Sequence, residues 1–293
     1  MKKVVDTMMK IIDKELSLRE NTILNKKYKV NKAISVSHLS IIYLAEEIES
    51  KKTLVIKEFF PKALVLRDLD HKTLVVKFPS KKKQFMKLKE QFFNEINILK
   101  NCCHKNIVTY IDSFEEHETV YLVMKYCDGQ TLDRFIKERK NDIDKRKLNE
   151  IFLSIINAVN YLHKKGIIHR DIKLSNILID KNGNPYLIDF GSAVYMKTPQ
   201  KDTIFTTAGY SPLELYSNQA KHSKRTDIYS LAATLYYCLS GGIVPIDCPK
   251  RIIEDPIENI KKYNHEISII FSFVIMWGLT LKPRNRCFSL IFF

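Results

Sequence analysis

A change of hydrophobic pattern at Asp128-Gly129 constrains the fold of this chain more than any other feature of its sequence. Before this turn, short runs rich in β-branched residues predict strands, and one run with helical spacing predicts a helix over 85–100. The predicted strands are 28–34, 41–46, 53–59, 63–67, 73–78, 107–114 and 119–126. After the turn, the predicted helices are 132–140, 147–164, 224–240 and 267–281. The sequence therefore predicts an α+β fold with a small β-rich lobe, a hinge near 125–129 and a larger α-helical lobe.

The net charge of the chain indicates which classes of binding partner it favours. Lys and Arg number 48 against 33 Asp and Glu, so the formal net charge is +15. This charge favours acidic partners such as nucleotides, acidic peptides or anionic surfaces, although a solvated lysine-rich surface is the simpler explanation. The sequence has no zinc-finger spacing and no arginine-rich groove motif, so we expect no specific nucleic-acid binding.

Cysteine use and hydropathy bear on location. The six cysteines form no Cys-x-x-Cys pair, and charged residues interrupt the N-terminal segment where a signal core would lie. Both observations predict reduced thiols in a cytoplasmic protein. The apolar run 267–281 is shorter than the about 20 residues that a membrane span requires. We therefore expect a buried helix there and no membrane span.

Two short segments carry side chains that suit phosphoryl transfer. The stretch His-Arg-Asp-Ile-Lys-Leu-Ser-Asn ends at Asn176, and Asp-Phe-Gly begins at Asp189. Asp171 offers a carboxylate that can take or orient a hydroxyl proton, and Lys173 can offset charge on the transferring phosphate. Asn176 and Asp189 supply hard oxygen ligands that suit Mg²⁺. Positioning and charge neutralisation provide nearly all the catalysis of this reaction, so the segments predict it.

These segments resemble the catalytic and metal-binding loops of the eukaryotic-type protein kinase family. The resemblance runs from about 28 to 286 and implies a kinase that uses ATP and Mg²⁺ to phosphorylate a protein substrate. The position of Lys173 is similar to that of the Ser/Thr-specific branch. The family pattern also implies that Lys57 contacts the α- and β-phosphates, with Glu95 as its anionic partner. The stretches 57–61 and 66–68 are similar to a bacterial subgroup of these kinases.

The resemblance implies a nucleotide site and domain limits. ATP would sit between the lobes, with apolar side chains around its base and main chain at its edge. The implied nucleotide-binding residues are Ile34, Ser35, Ser37, Ile42, Lys57, Met124, Lys125, Cys127 and Leu178. The kinase domain would occupy 28–293, with an N-lobe over 28–126 and a C-lobe over 127–293. Residues 1–27 would form a charged, partly helical extension.

The sequence departs from the family pattern at the nucleotide loop, where Ser35, Ser37 and Ser40 occupy the positions of the family's glycines. Glycine lets backbone N–H groups approach phosphate and adopts a left-handed φ freely, whereas another residue pays about 1–2 kcal/mol. We therefore expect a stiffer or less tightly closed loop. An active kinase with weakened ATP affinity and a pseudokinase scaffold are the two interpretations, and the retained charged residues favour the active kinase.

The stretch Thr-Ala-Gly-Tyr-Ser-Pro-Leu-Glu, which ends at Glu214, resembles the family segment that docks the protein substrate. It implies that Thr207 lies near the catalytic aspartate, that Glu214 forms a buried pair with Arg286, and that Asp227 braces the catalytic loop. A small-molecule phosphotransferase of the same fold is a rival interpretation. Such relatives usually lack both this segment and the Lys173 position, so we expect a protein substrate.

Regulation is expected on the loop between Gly191 and Ser211. In the family, the arginine at the position of Arg170 commonly meets a phosphate on this loop. The candidate acceptors are Thr198, Thr203 and Thr206, with the second and third preferred. We therefore expect autophosphorylation, although unmodified loop threonines are an equally ordinary interpretation.

Overall fold

The structure, a computed structural model, describes residues 15–139, 144–197, 206–217 and 219–293. The chain divides into two compact units. The first contains the described residues up to Lys100 together with Thr109–Tyr126, and the second contains Asn101–Val108 and the described residues from Cys127 to Phe293. The predicted limits of the extension, the N-lobe and the C-lobe stay a prediction.

A six-stranded antiparallel sheet forms the core of the first unit. The strands of this unit are β1 (Ile23–Leu24), β2 (Tyr28–Val36), β3 (Ser40–Glu47), β4 (Thr53–Phe59), β5 (Val65–Arg67), β6 (Leu74–Val76), β7 (Tyr110–Glu116) and β8 (Thr119–Lys125). The order in the large sheet is β1-β2-β3-β4-β8-β7, which makes β4 and β3 central strands. Each predicted strand of this region is present, and the bounds of β4 match the prediction.

A helix and a separate hairpin complete the first unit. The helix, α1 (Lys82–Lys100), buries Phe85, Phe92 and other apolar residues along one face. The rings of Phe85 and Phe92 lie 5.4 and 5.6 Å from that of Phe59 at the end of β4, so α1 packs on this face of the sheet. Strands β5 and β6 pair as the hairpin that the sequence predicts.

Two details of the first unit differ from the expected pattern. Residues 15–27 were predicted to form part of an extension, yet β1 pairs with β2, and Leu18 and Leu24 are buried. The predicted strand 107–114 begins only at Tyr110, because Ile107 forms a bridge to Leu187 within the second unit. Sequence periodicity indicates that Ile107 favours a strand, but it does not identify the segment with which this residue pairs.

Helices dominate the second unit. They are α2 (Leu132–Glu138), α3 (Lys145–Lys164), α4 (Lys224–Leu239) and α5 (Ile269–Gly278). Side chains cap their N-termini: Thr131, Asp144, Ser223 and Ser268 each accept from a main-chain N–H of the first turn. The short strands are β9 (Gly129–Thr131), β10 (Ile167–Ile168), β11 (Ile177–Asp180), β12 (Pro185–Leu187) and β13 (Val194–Tyr195). β12, β11 and β9 form one small sheet, and β10 pairs with β13.

The predicted buried helix over 267–281 is wrong in length and in part of its burial. Helix α5 covers only ten residues, Ile269–Gly278, and Ile269, Ile270 and Phe273 are 75%, 79% and 63% exposed. Its other face is buried, since a Cβ on Gly278 would lie 2.6 Å from Ala232 Cβ of α4. A run that is apolar all round does not by itself show which face is covered.

Candidate active site

Lys57 and Glu95 form a buried ion pair within the first unit. Lys57 Nζ lies 2.6 Å from Glu95 Oε1, and the two residues are 8% and 3% exposed. Strand β4 supplies the lysine and helix α1 the glutamate, although the residues are 38 positions apart in sequence. The ammonium also lies 5.9 Å from the centroid of the Phe92 ring. This arrangement holds a cation in a buried position beside the sheet, where its charge is weakly screened.

The serine-containing loop is a tight turn between β2 and β3. Ser37 N donates to Ser40 O at 2.8 Å, while Ser37 Oγ accepts from Ser40 N at 3.0 Å and from Leu39 N at 3.3 Å. The turn is tied to the chain that follows β4, because Phe60 N donates to Leu39 O at 2.7 Å. None of Ser35, Ser37 and Ser40 has a positive φ. The expected cost of left-handed serines is therefore not incurred, because hydroxyl hydrogen bonds shape the turn without that conformation.

The other predicted nucleotide-binding residues are found on strands or directly beside them. Ile34 and Ser35 are exposed on β2, whereas Ile42 on β3 is half-buried and Met124 on β8 is buried. Lys125 is exposed at the end of β8. In the second unit, Cys127 and Leu178 of β11 are half-buried. Their contact with a nucleotide stays a prediction.

Asp171 is the centre of a hydrogen-bonded cluster in the second unit. Lys173 Nζ lies 2.9 Å from Asp171 Oδ2, and Asn176 Nδ2 donates to the same oxygen at 2.8 Å. Thr207 Oγ1 donates to Asp171 Oδ1 at 3.2 Å and accepts from Lys173 Nζ at 3.0 Å. The predicted position of Thr207 is thus confirmed. A carboxylate that is oriented by two hydrogen-bond donors and lies beside an ammonium suits proton acceptance next to a polyanion.

Asn176 and Asp189 have the donor chemistry that Mg²⁺ prefers. The amide nitrogen of Asn176 is committed to Asp171, with bonds of 2.9 Å to the carbonyl oxygen and 2.8 Å to the carboxylate. Its Oδ1 is thereby directed away from Asp171 and left available as an oxygen ligand. Asn176 O accepts from Ile188 N at 3.1 Å, which ties the catalytic loop to the residue before Asp189. In the described ranges, no cluster of three or more His, Cys, Asp or Glu side chains could hold a metal.

Asp227 of α4 holds the main chain of the catalytic loop, as predicted. Its Oδ2 accepts from His169 N at 2.9 Å and its Oδ1 from Arg170 N at 2.8 Å. His163 Nε2 lies 2.8 Å from Oδ2. Burial alone would raise the pKa of Asp227, but the hydrogen bonds from the His163 side chain and from His169 N hold it below its usual value. The carboxylate therefore stays ionised and fixes the loop in place.

His169 is a packing residue in this arrangement. Its ring meets the ring of Phe190 edge-on, with centroids 5.0 Å apart, and burial lowers the pKa of the imidazole. Its Nδ1 accepts from Asp171 N at 3.3 Å, which places the ring proton on Nε2. The neutral ring thus supports the backbone of the catalytic aspartate.

The docking segment is anchored by the predicted pair of Glu214 and Arg286. Arg286 Nη1 donates to Glu214 Oε1 at 2.8 Å and Nη2 to Oε2 at 3.2 Å, and the residues are 1% and 6% exposed. Upstream, Gly209 has φ of 80°, and a Cβ there would lie 2.5 Å from both Pro245 O and Val244 Cγ1. Only glycine fits this position without moving the segment.

Arg170 has a neighbour that the sequence did not reveal. The residue is 4% exposed with φ of 67°, and its Nε donates to Ser192 O at 2.5 Å. Its Nη1 lies 3.3 Å from Nδ1 of buried His222, whose Nε2 faces Glu214 O at 3.3 Å. No spacing rule pointed to His222, because it belongs to none of the motifs. Of the predicted phosphoacceptors, Thr206 is exposed, whereas Thr198 and Thr203 lie outside the described residues.

Comparison with known proteins identifies the family. Residues 62–272 match the model of the protein kinase domain, a range that begins after Lys57. A probable serine/threonine-protein kinase of Clostridium acetobutylicum is 29% identical over 275 residues, which cover 90% of this chain and 38% of that protein. Aurora kinase of Schizosaccharomyces pombe is 30% identical over 215 residues, which cover 73% of this chain and 55% of that protein.

A solved structure shows the same fold. The chain described as "PpkA-294 apo form" superposes with a TM-score of 0.82 at 26% identity, covering 94% of this chain and 97% of that one. The chain therefore belongs to the protein kinase family and has its α+β fold, with a β-rich N-lobe and a helical C-lobe. One of these curated relatives is described as a probable serine/threonine-protein kinase. The chain spans less than two thirds of their length.

None of the helices in the described part of the chain combines the length and the apolar character that crossing a bilayer requires.

Proposed function

We propose that this chain transfers the γ-phosphate of ATP to a serine or threonine hydroxyl of a protein, with Mg²⁺ as cofactor. The single observation that carries the proposal is the cluster around Asp171, where Lys173, Asn176 and Thr207 all bond to one carboxylate. The family membership supports the reaction class. The buried pair of Lys57 with Glu95 supports a role in binding the phosphates.

The reaction follows from the roles of these side chains. Asp171 accepts the proton as the substrate hydroxyl oxygen attacks the γ-phosphorus. A new oxygen–phosphorus bond forms while the bond from the γ-phosphorus to the β,γ-bridging oxygen breaks, so the products are a phosphoprotein and ADP. Lys173 offsets charge on the transferring group, and Lys57 orients the α- and β-phosphates. Glu95 keeps the Lys57 ammonium in place, since a buried cation needs an anionic partner.

Asn176 and Asp189 are the residues that would hold magnesium. When bound, the ion neutralises phosphate charge and helps to align the phosphates. The chain's own contribution is the orientation of the two oxygen ligands. The Asp171 contacts turn the Asn176 amide, and Gly191 N donates to Asp189 Oδ1 at 3.2 Å.

A protein, rather than a small molecule, is the substrate that the docking segment favours. Thr207 connects this segment directly to Asp171, and the Glu214–Arg286 pair anchors its other end. A protein hydroxyl held along the segment would arrive beside the catalytic carboxylate. The rival small-molecule phosphotransferase has no evident use for this connection.

The test is transfer of labelled γ-phosphate from Mg-ATP to the protein itself, to casein as an acidic acceptor and to histone as a basic one. Asp171→Asn keeps the shape of the side chain but removes the base, so we expect labelling to fall by at least about 100-fold. Asp133→Asn is the matched control, because Asp133 pairs with Lys137 on the surface of α2. Equal labelling by wild type and Asp171→Asn would refute the assignment. A folded wild type without labelling at millimolar ATP would instead indicate a pseudokinase scaffold.

We further propose autophosphorylation on the loop between Gly191 and Ser211. The basis is the position of Arg170, whose side chain contacts Ser192 at the start of this loop. The exposed Thr206 is the acceptor within the described residues, and Thr203 is the preferred one outside them. Phosphopeptide mapping of active protein tests the proposal, with Asp171→Asn as the unlabelled control. An active enzyme with an unmodified loop would contradict it.

A further inference from the structure

A second buried ion pair lies next to the proposed phosphate-binding lysine. Glu58 follows Lys57 in β4, so the two side chains point to opposite faces of the sheet. Glu58 is fully buried, and its carboxylate accepts from Arg67 Nη1 at 2.9 Å and from Nη2 at 2.6 Å. Tyr43 OH donates to it at 2.6 Å and Tyr121 OH at 3.3 Å. The active-site roles proposed above do not use this carboxylate.

Arg67 brings together parts of the first unit that are distant in sequence. Besides its two bonds to Glu58, its Nη2 contacts Tyr43 OH at 3.1 Å. Its Nη1 donates to Lys72 O at 2.8 Å, and its Nε donates to Leu16 O at 2.6 Å. All five N–H donors of the guanidinium are thus used, and its Cζ lies 5.0 Å from the centroid of the Phe60 ring. A lysine at this position could not satisfy this set of acceptors.

The segment before β1 is joined to this network by its main chain. Leu16 O accepts from Arg67, and Leu18 N donates to Tyr43 OH at 3.1 Å. Leu18 itself is 4% exposed, so the segment covers the network from the outer face of the sheet. The network therefore spans the segment at 16–18, strands β3, β4, β5 and β8, and the turn of the β5–β6 hairpin.

The two faces of β4 now have different tasks. One face presents Lys57 to Glu95, and Phe59 packs on α1. On the other face, Glu58 accepts four hydrogen bonds that hold the strand in place. A strand held at one residue by rigid bonds has little freedom to rotate or shift at the next, because the two share a backbone. A shift of the strand would change the distance from Lys57 Nζ to Glu95.

We propose that Glu58, Arg67 and Tyr43 are positioning residues that set β4 so that Lys57 meets both Glu95 and the phosphates of ATP. This inference rests on the proposed ATP-dependent function. Its specific consequence concerns ATP, since the network belongs to the unit that carries Lys57. Loss of the network should raise KM for ATP and leave KM for the protein acceptor unchanged.

The test is a set of full-length variants compared at a temperature well below their unfolding transitions. Arg67→Met removes the guanidinium group but keeps the apolar part of the side chain. We expect KM for ATP to rise about ten-fold, which corresponds to about 1.4 kcal/mol. Tyr43→Phe removes the hydroxyl that bonds to Leu18 N, Glu58 and Arg67, and we expect a smaller rise in KM for ATP. Arg251→Met is the matched control, because Arg251 is a buried arginine of the second unit bonded to Asp255 and Tyr229. We expect this variant to lower the unfolding temperature without changing KM for ATP.

A double variant separates positioning from stability. Arg67→Met leaves the Glu58 charge buried without its partner, whereas Arg67→Met with Glu58→Gln removes both charges. We expect the double variant to recover much of the unfolding temperature but not KM for ATP. Recovery of both quantities, or an unchanged KM for ATP in Arg67→Met, would overturn the inference.

The proposed function and this inference fail in different ways. A wild type that transfers phosphate with network variants of unchanged KM for ATP retains the function and loses the inference. If the wild type binds ATP without transferring phosphate, the dissociation constant for ATP replaces KM, and a rise of about ten-fold in Arg67→Met still supports the inference. A wild type that neither binds ATP nor transfers phosphate overturns both.

Discussion

Loss of Arg286 should destabilise the protein through the buried charge that it leaves behind. Its five N–H groups bond to both oxygens of Glu214 and to the carbonyl oxygens of Thr280, Arg225 and Leu281, at 2.7–3.2 Å. In Arg286→Met, the Glu214 carboxylate would retain the Thr226 hydroxyl at 3.1 Å as its remaining described partner. Breaking a buried pair on one side costs about 3–5 kcal/mol. For a chain of this size, each kcal/mol corresponds to about 2–4 °C, so we expect the unfolding temperature to fall by about 6–20 °C.

Differential scanning calorimetry at pH 7 measures this change. The double variant Arg286→Met with Glu214→Gln removes both charges and should recover at least about half of the loss, because no ionised group is then buried alone. Arg134→Met provides the exposed control, since Arg134 and Glu138 are 72% and 48% exposed and such pairs contribute about 0–1 kcal/mol. The reasoning is refuted if Arg286→Met unfolds within about 2 °C of wild type, or if the double variant is less stable than the single one.

Three further predictions concern the turn, the docking segment and the catalytic loop. Ser37→Ala removes the hydroxyl that bonds to Ser40, and we expect about 1 kcal/mol lower stability and a higher KM for ATP than for wild type; unchanged steady-state kinetics would count against it. Gly209→Ala introduces a Cβ against Val244, so phosphorylation of a protein acceptor should drop more than about ten-fold while KM for ATP stays constant; equal effects on both substrates would contradict this. Burial lowers the pKa of His169, so the unfolded chain binds a proton near pH 6.5 that the folded chain does not. Stability should therefore decrease as pH falls below about 6.5, and urea unfolding at pH 7 and 5.5 should show a smaller decrease in His169→Phe.

Much of the fold could be predicted from periodicity because its elements carry strong local signals. Strand β4 is a compact run rich in β-branched residues, and its limits match the prediction; the hydrophobic face of α1 has clear helical spacing. The cluster around Asp171 was also accessible, because its members are close in sequence apart from Thr207. Residues of a site that lie close together in sequence can be recognised as one motif.

Tertiary contacts that the family resemblance does not imply could not be predicted. The Glu58 network draws on strands, a turn and the segment at 16–18, and no local pattern relates a carboxylate on β4 to a carbonyl at Leu16. His222 beside Arg170 belongs to the same class, since the residues are 52 positions apart. The exposed face of α5 was missed because an apolar run shows hydrophobicity without showing what covers it.

The hydrogen-bonded serine turn has a thermodynamic consequence for ligand binding. A glycine-rich loop has many accessible conformations, and a ligand that orders it loses part of its binding free energy to conformational entropy. Here the hydroxyl of Ser37 and the bond from Phe60 N to Leu39 O already restrict the turn before any ligand arrives. Because folding has already ordered the turn, a ligand that binds there would lose less free energy to the conformational entropy of the loop. The serines thus exchange adaptability of the loop for a smaller ordering cost.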